Sequence, residues 1–192
     1  MEVNLQAQLI ETEISEVLLI ETVRFEDERG FFMESFNKQL FEELGIPVNY
    51  VQDNHSLSKN GVIRGIHYQN MTAPIGKLVR CTVGKILDVA VDLRVGSPTF
   101  GKYVKATLSE ENNRLLYLPE GFGHAFLSLA DRTEIQYKCT GYYSPSSEGT
   151  VLWKDSKIGI DWDVLDPSVS PKDKKGQTLD EYLKNPAFVY GD

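Results

Sequence analysis

The sequence predicts a mainly β protein, a sandwich or jelly roll of short strands, and three observations carry that expectation. Nine short runs rich in β-branched and aromatic residues occur at 18–23, 48–52, 61–69, 77–83, 86–93, 103–108, 114–118, 124–129 and 133–139. Most are bounded by Gly, Pro, Asn, Asp or Ser, which end strands and turn the chain. Only one stretch shows a strong helical period, and short strands at close spacing are the pattern of sandwiches and barrels. A chain of 192 residues can close one sizeable core, so a single domain spanning 1–192 is expected.

In chain order, 18–23 reads as the first strand. A helix is predicted from Ser35, because Phe36, Leu40, Phe41 and Leu44 follow a helical period, Ser35 can cap the first free N–H groups, and Gly45 with Pro47 ends the run. In 61–69, strict alternation puts Ile63, Gly65, His67 and Gln69 on one face and Arg64, Ile66 and Tyr68 on the other. In 77–83 the inward face carries Lys77, Val79, Cys81 and Val83. Gly84-Lys85 reads as a two-residue hairpin turn, and 96–99 and 130–132 read as further connections. Tyr137 shares a face with Ile135 and Cys139. The region 155–177 is poor in periodicity and reads as a long wrapping loop. It is followed by a weaker helix at 178–184, with Thr178 as cap and Asn185-Pro186 as stop.

The composition, 41% hydrophobic and 25% charged, is that of an ordinary globular protein. A net charge of −8 and a pI near 5.0 argue against a nucleic-acid backbone binder. An anionic ligand must then be held by a few cations gathered locally. No apolar run approaches the roughly 20 residues that span a bilayer, and the first residues are polar, so a soluble, cytoplasmic protein is expected. Cys81 and Cys139 lie in strand patterns without CxxC spacing and read as buried reduced thiols.

Only three histidines occur, His55, His67 and His124. On its strand, His67 is either a satisfied structural residue or a proton-transfer group. Metal binding is disfavoured locally, because the position two after His67 is Gln69 and no His-x-His pair forms. A three-histidine site assembled from separate strands stays open. An inward Lys77 needs an anion, either a buried carboxylate or a developing oxyanion, unless its strand end is wet. Tyr137 is core filler or an acid facing His67 across a cavity. Asp173 alone reads as a surface charge.

Nine short segments together resemble the dTDP-4-dehydrorhamnose 3,5-epimerases. They are 27–34 (DERGFFME), 52–56 (QDNHS), 64–69 (RGIHYQ), 77–80 (KLVR), 88–94 (DVAVDLR), 96–101 (GSPTFG), 118–126 (LPEGFGHAF), 137–143 (YKCTGYY) and 159–162 (GIDW), with 169–173 (VSPKD) a looser match. The resemblance implies a cupin-type double-stranded β-helix, or jelly roll, with a few short peripheral helices. It implies a homodimer that uses no metal and no cofactor and acts on a small dTDP-sugar. His67 matches the family's general base, Tyr137 its general acid, and Asp173 the carboxylate paired with the histidine, although the usual SEKD reads SPKD here. Lys77 suits the oxyanion. Arg64, His124 and Arg29 match contacts to phosphates and sugar, with Arg29 reaching the partner's site. Phe32 belongs to the same binding motif as Arg29. Glu34, Gln52 and Asn54 match nucleotide contacts, Tyr143 the aromatic stacked on thymine, and Glu148 and Lys172 further polar contacts. Because alternation puts Arg64 opposite His67, a bulge at Gly65 is expected to bring both to one side.

Overall fold

A computed structural model of the chain describes residues 7–191. Its strands are β1 (Ala7–Ile10), β2 (Leu18–Thr22), β3 (Arg24–Asp27), β4 (Gly30–Met33), β5 (Gln52–Ser58), β6 (Val62–Gln69), β7 (Lys77–Val83), β8 (Lys85–Asp92), β9 (Arg94–Val95), β10 (Tyr103–Ser109), β11 (Arg114–Leu118), β12 (Phe122–Ser128), β13 (Thr133–Cys139), β14 (Glu148–Thr150), β15 (Ser168–Val169) and β16 (Phe188–Val189). One sheet runs β1-β2-β11-β7-β13-β5 and the other β10-β8-β12-β6-β14, with β15 added parallel to β6. The two face each other as a jelly roll.

Alternation along the strands sorts the apolar residues into three layers. Between the sheets lie Val79, Cys81, Ile86, Ala90, Val104, Leu108, Leu116, Phe126 and Ile135. Outside the second sheet, Ile63, Ile66, Tyr68, Val89 and Val91 are covered by Trp162, Val169, Leu179, Tyr182 and Phe188 of the C-terminal segment. Outside the first sheet, Ile20, Leu78 and Leu115 are covered by Phe41 and Ile46. Phe41 is sealed there, a burial that contributes about 2–3 kcal/mol.

Helix α1 (Lys38–Glu43) starts later than predicted. Its cap is Asn37, whose side-chain oxygen accepts from the backbone N–H of Leu40 at 3.2 Å, and not Ser35. Gly45, at φ +73°, ends it as expected. Helix α2 (Leu179–Lys184) has the predicted Thr178 cap, completed by a reciprocal bond from Glu181.

Gly84-Lys85 is not a hairpin turn. β7 and β8 belong to different sheets, and Gly84 carries the chain from one to the other. Its φ is +74°, and a Cβ there would lie 2.4 Å from the Arg132 carbonyl oxygen. The strand expected at 48–52 forms instead at Gln52–Ser58, a polar run whose side chains face a cleft on one side and the outer surface on the other. The hairpin β3–β4 and the short strands β1, β14, β15 and β16 carry no alternation long enough to stand out.

The bulge at Gly65 is present. His124 pairs with His67 and Phe126 with Arg64, so Ala125 faces two residues, Gly65 and Ile66. Gly65 has φ +129°, and a Cβ would lie 2.3 Å from the Ala125 Cβ. The extra residue reverses the parity of the strand: Ile63 joins Ile66 and Tyr68 in the outer apolar layer, against the expectation that it would share the His67 face. Arg64 thereby falls on the side of His67 and Gln69.

Candidate active site

His67 and Asp173 are 106 positions apart, and the wrapping segment brings them together. β15 runs parallel to β6 and carries the chain alongside it. A single 3-10 turn, Asp173–Lys175, follows, in which the Asp173 N–H donates to the Ser170 hydroxyl at 3.1 Å. At the far end, the Gln177 amide donates to the Tyr68 hydroxyl at 2.7 Å. So anchored, Asp173 Oδ1 lies 2.6 Å from His67 Nε2, and its Oδ2 accepts from the Gly65 N–H at 3.4 Å. Burial works to raise the Asp173 carboxyl, but its bonds to His67, Gly65 and Ser170 outweigh it and hold it below the ordinary carboxylate range. An ionised carboxylate only accepts, so Nε2 carries the hydrogen and Nδ1 is the free base. The His67 side chain is 30% exposed and that of Asp173 3%.

His67 opens on a cavity of about 110 Å³ shared with Lys77, Tyr137, Gln52, Asn54, Gln69, Cys139, Tyr143 and Glu148. Tyr137 comes from the opposite sheet, paired with Val79 and Asn54. Burial, reinforced by Cys139, raises its phenol, so it keeps its proton at neutral pH. The Lys77 ammonium lies 5.9 Å from the Tyr137 ring centre. Burial lowers it, against the pull of Cys139, Asp88 and Glu148.

A polar rim closes the cleft. The Gln52 side-chain oxygen accepts from the Tyr143 N–H at 3.0 Å, and its amide donates to Asn54 at 3.1 Å. The Tyr143 hydroxyl donates to Glu148 at 3.1 Å, and Lys172 pairs with Glu148 at 2.5 Å. Burial raises the Glu148 carboxyl, and Lys172 and Tyr143 more than reverse this. Gln69, buried, donates to the Ala73 and Tyr142 carbonyls at 2.7 and 3.1 Å and accepts from the Ser144 N–H at 2.8 Å, which ties the Tyr143 loop down. His124 stands behind His67, 6.4 Å ring to ring from Tyr137, with Nε2 2.7 Å from Asp88 Oδ1.

Arg64 reaches past the bulge to the Ser58 hydroxyl and the Leu57 carbonyl, each at 3.1 Å. Arg29, Phe32 and Glu34 stand apart from the cleft within one chain. Arg29 is 85% exposed on the β3–β4 turn beside Asp27, Phe32 is 68% exposed, and Glu34 accepts from Asn37 at 2.9 Å. Sequence reasoning passed over Asp88, whose signal was an acid between Ile86 and Ala90 at an inward position of β8. Among the described residues no three His, Cys, Asp or Glu side chains gather as a metal-binding group, and no helix is long and apolar enough to cross a membrane. A larger hollow, about 390 Å³, lies by Ser35, Asp53, His55 and Arg80 and shares Asn54 and Tyr137 with the cleft, but it lacks the His67–Asp173 pair and Lys77.

Comparison with known proteins places this geometry. The family model described as dTDP-4-dehydrorhamnose 3,5-epimerase matches residues 11–181. The dTDP-4-dehydrorhamnose 3,5-epimerase of Salmonella typhimurium is 54% identical over 177 residues, covering 91% of this chain and 97% of that protein. The crystal structure of dTDP-6-deoxy-D-glucose-3,5-epimerase RmlC from Legionella pneumophila, in complex with dTDP-4-keto-L-rhamnose, superposes with a TM-score of 0.92 at 43% identity, covering 97% of this chain and 100% of that one. ChmJ, a 3'-monoepimerase from Streptomyces bikiniensis in complex with dTDP-quinovose, gives 0.86 at 35% identity, covering 92% and 90%. The jelly roll is thus of the cupin type seen in these enzymes. With a match over nearly its whole length and a carboxylate–imidazole pair facing a phenol across the cleft, this chain belongs to the dTDP-4-dehydrorhamnose 3,5-epimerase family.

Proposed function

We propose that His67, Tyr137, Lys77 and Asp173 carry out the epimerisation of dTDP-4-dehydro-6-deoxy-D-glucose at C3 and C5 to dTDP-4-dehydro-L-rhamnose. The observation that carries this reading is the 2.6 Å His67–Asp173 bond opening on a cleft that Tyr137 and Lys77 share. A proton on carbon beside a ketone can leave only if its electron pair moves onto the carbonyl oxygen. The base and the oxyanion donor must therefore act together.

Asp173 holds the Nε2 hydrogen of His67, which leaves Nδ1 to take the C–H proton. The enolate oxygen forms where the Lys77 ammonium can donate to it, in a cleft drier than bulk water. Tyr137, on the opposite sheet, returns a proton to the other face of the carbon and inverts it. The exposed edge of His67 then releases its proton to solvent, and the Tyr137 phenolate regains one from solvent through the cleft, so both groups are reset. Repetition at the second carbon completes the double epimerisation. None of these steps calls on a metal or cofactor.

Arg64, Gln52, Asn54, Glu148, Lys172 and Tyr143 hold the nucleotide sugar, with the Tyr143 ring as a face for the base. The chain works as a single cytoplasmic domain over 1–192 and as a homodimer. The exposed Phe25, Phe31 and Phe32 beside Arg29 give the β3–β4 hairpin an apolar surface to dock on a second copy. From there Arg29 and Phe32 reach the partner's cleft, with Glu34 behind them.

Incubation with the 4-keto sugar in D₂O tests the reaction: deuterium at both C3 and C5 is expected. Label at one carbon alone would move the chain to the single-site epimerases, of which the 3'-monoepimerase ChmJ is a structural neighbour. A product with its carbonyl moved would make it a ketoisomerase. Activity lost to a chelator would bring back a metal. Sedimentation of the wild type and of Arg29→Ala tests the dimer and the contribution of Arg29.

A further inference from the structure

Asp88 is a charge in an apolar core without a task in the reaction above. It lies on the inward face of β8 between Ile86 and Ala90, fully enclosed. An ionised carboxylate there costs several kcal/mol unless other groups compensate it. Its Oδ1 is 2.7 Å from His124 Nε2, while Oδ2 is sealed from solvent and has no hydrogen-bond partner. A carboxylate accepts, so His124 Nε2 carries the hydrogen. The other ring nitrogen, Nδ1, has no hydrogen-bond partner among the described residues and is not one of the sealed atoms. The titratable groups around this pair are Lys77 and Cys81 of β7, His67 of β6 and Tyr137 of β13.

We propose that Asp88 is a positioning residue for His124. Through Oδ1 it fixes His124 in the tautomer that turns the Nδ1 lone pair to a hydroxyl of the bound sugar. A lone pair accepts from a hydroxyl and repels a phosphate oxygen, so His124 reads the sugar and not the diphosphate. The sugar's identity rests on the reaction proposed above; the tautomer does not.

Nitrogen-resolved NMR of His124 tests the assignment. In the wild type, Nε2 is expected to carry the hydrogen and Nδ1 to be bare, before and after dTDP is added. Asp88→Asn keeps an acceptor for Nε2, so the tautomer should survive. Asp88→Leu removes the acceptor, which should mix the tautomers and lower kcat/KM about 10- to 100-fold. A wild-type ring protonated at Nδ1, a measurement that needs no variant to fold, would overturn the proposal. If the wild type did not turn over the dTDP sugar, the reaction would fall, and the His124 spectrum would still decide the role of Asp88.

Discussion

Two carboxylate–imidazole pairs stand side by side in this molecule, since His67 and His124 are cross-strand partners. Their bond lengths, 2.6 and 2.7 Å, hardly differ. Their burial does: the His67 side chain is 30% exposed, whereas those of His124 and Asp88 are 8% and 0%. A base must hand its proton back to water on every cycle, and the first pair is much the more open to it. Burial lowers His124 with Lys77 and His67 acting in the same sense, and Asp88 opposes them without prevailing. In the roles proposed above, the same two functional groups serve as a proton carrier in one place and a fixed hydrogen-bonding surface in the other, and solvent access separates them.

The largest expected effect removes the exposed ring. His67→Asn should lower kcat by about 10²- to 10⁴-fold, roughly 3–5 kcal/mol of barrier, while dTDP binding measured by calorimetry persists. Wild-type turnover in that variant would assign the base elsewhere. Tyr137→Phe should suppress net epimerisation by a similar factor yet leave more exchange of the C–H hydrogens with D₂O, because removal and return of the proton lie on opposite faces. Loss of both rates in parallel would place Tyr137 on the same step as His67.

Smaller effects sharpen how the exposed pair is built. Gly65→Ala should destabilise the fold by about 2–4 kcal/mol in urea unfolding, since its Cβ would collide with Ala125 and the bulge needs φ +129°. Asp173→Asn should cost about 10- to 100-fold in kcat. Asp173 is held below the ordinary carboxylate range, so its contribution to stability is complete above that range and is lost as pH falls through the lowered value. The stability gap between wild type and Asp173→Asn should therefore narrow on acidification, and a gap that widened would reverse the assignment. Lys172→Ala, which breaks a half-exposed pair with Glu148, should raise KM by no more than about fivefold with kcat unchanged.

Legibility along the chain followed regularity. β7, β11 and β13 have the bounds their residues suggest, because alternating apolar positions face a core on one side. β5 was displaced in the reading because the stretch Gln52–Ser58 is polar on both faces, and nothing in a local window says that one face lines a cleft. Gly84 showed the turn and hid its kind: a glycine at positive φ serves a hairpin and a crossing between sheets alike, and the choice depends on which strands lie alongside. His67, Lys77 and Tyr137 stood out as polar residues at inward positions. Asp88 met the same criterion and went unnoticed, and Asp173 had no local mark at all.

What the sequence by itself determined is the set of faces: which strands alternate, where the chain must turn, and which scarce polar residues are turned inward, all consequences of a two-residue period and of glycine's freedom. What only the tertiary structure decided is company and access. The wrapping segment delivers Asp173 to His67 across 106 positions, the bulge turns Arg64 to the side of His67, and sheet packing leaves one imidazole open at the cleft and the other almost enclosed. Distance along the chain carries no record of distance in space, and the depth of a side chain is a property of everything packed around it.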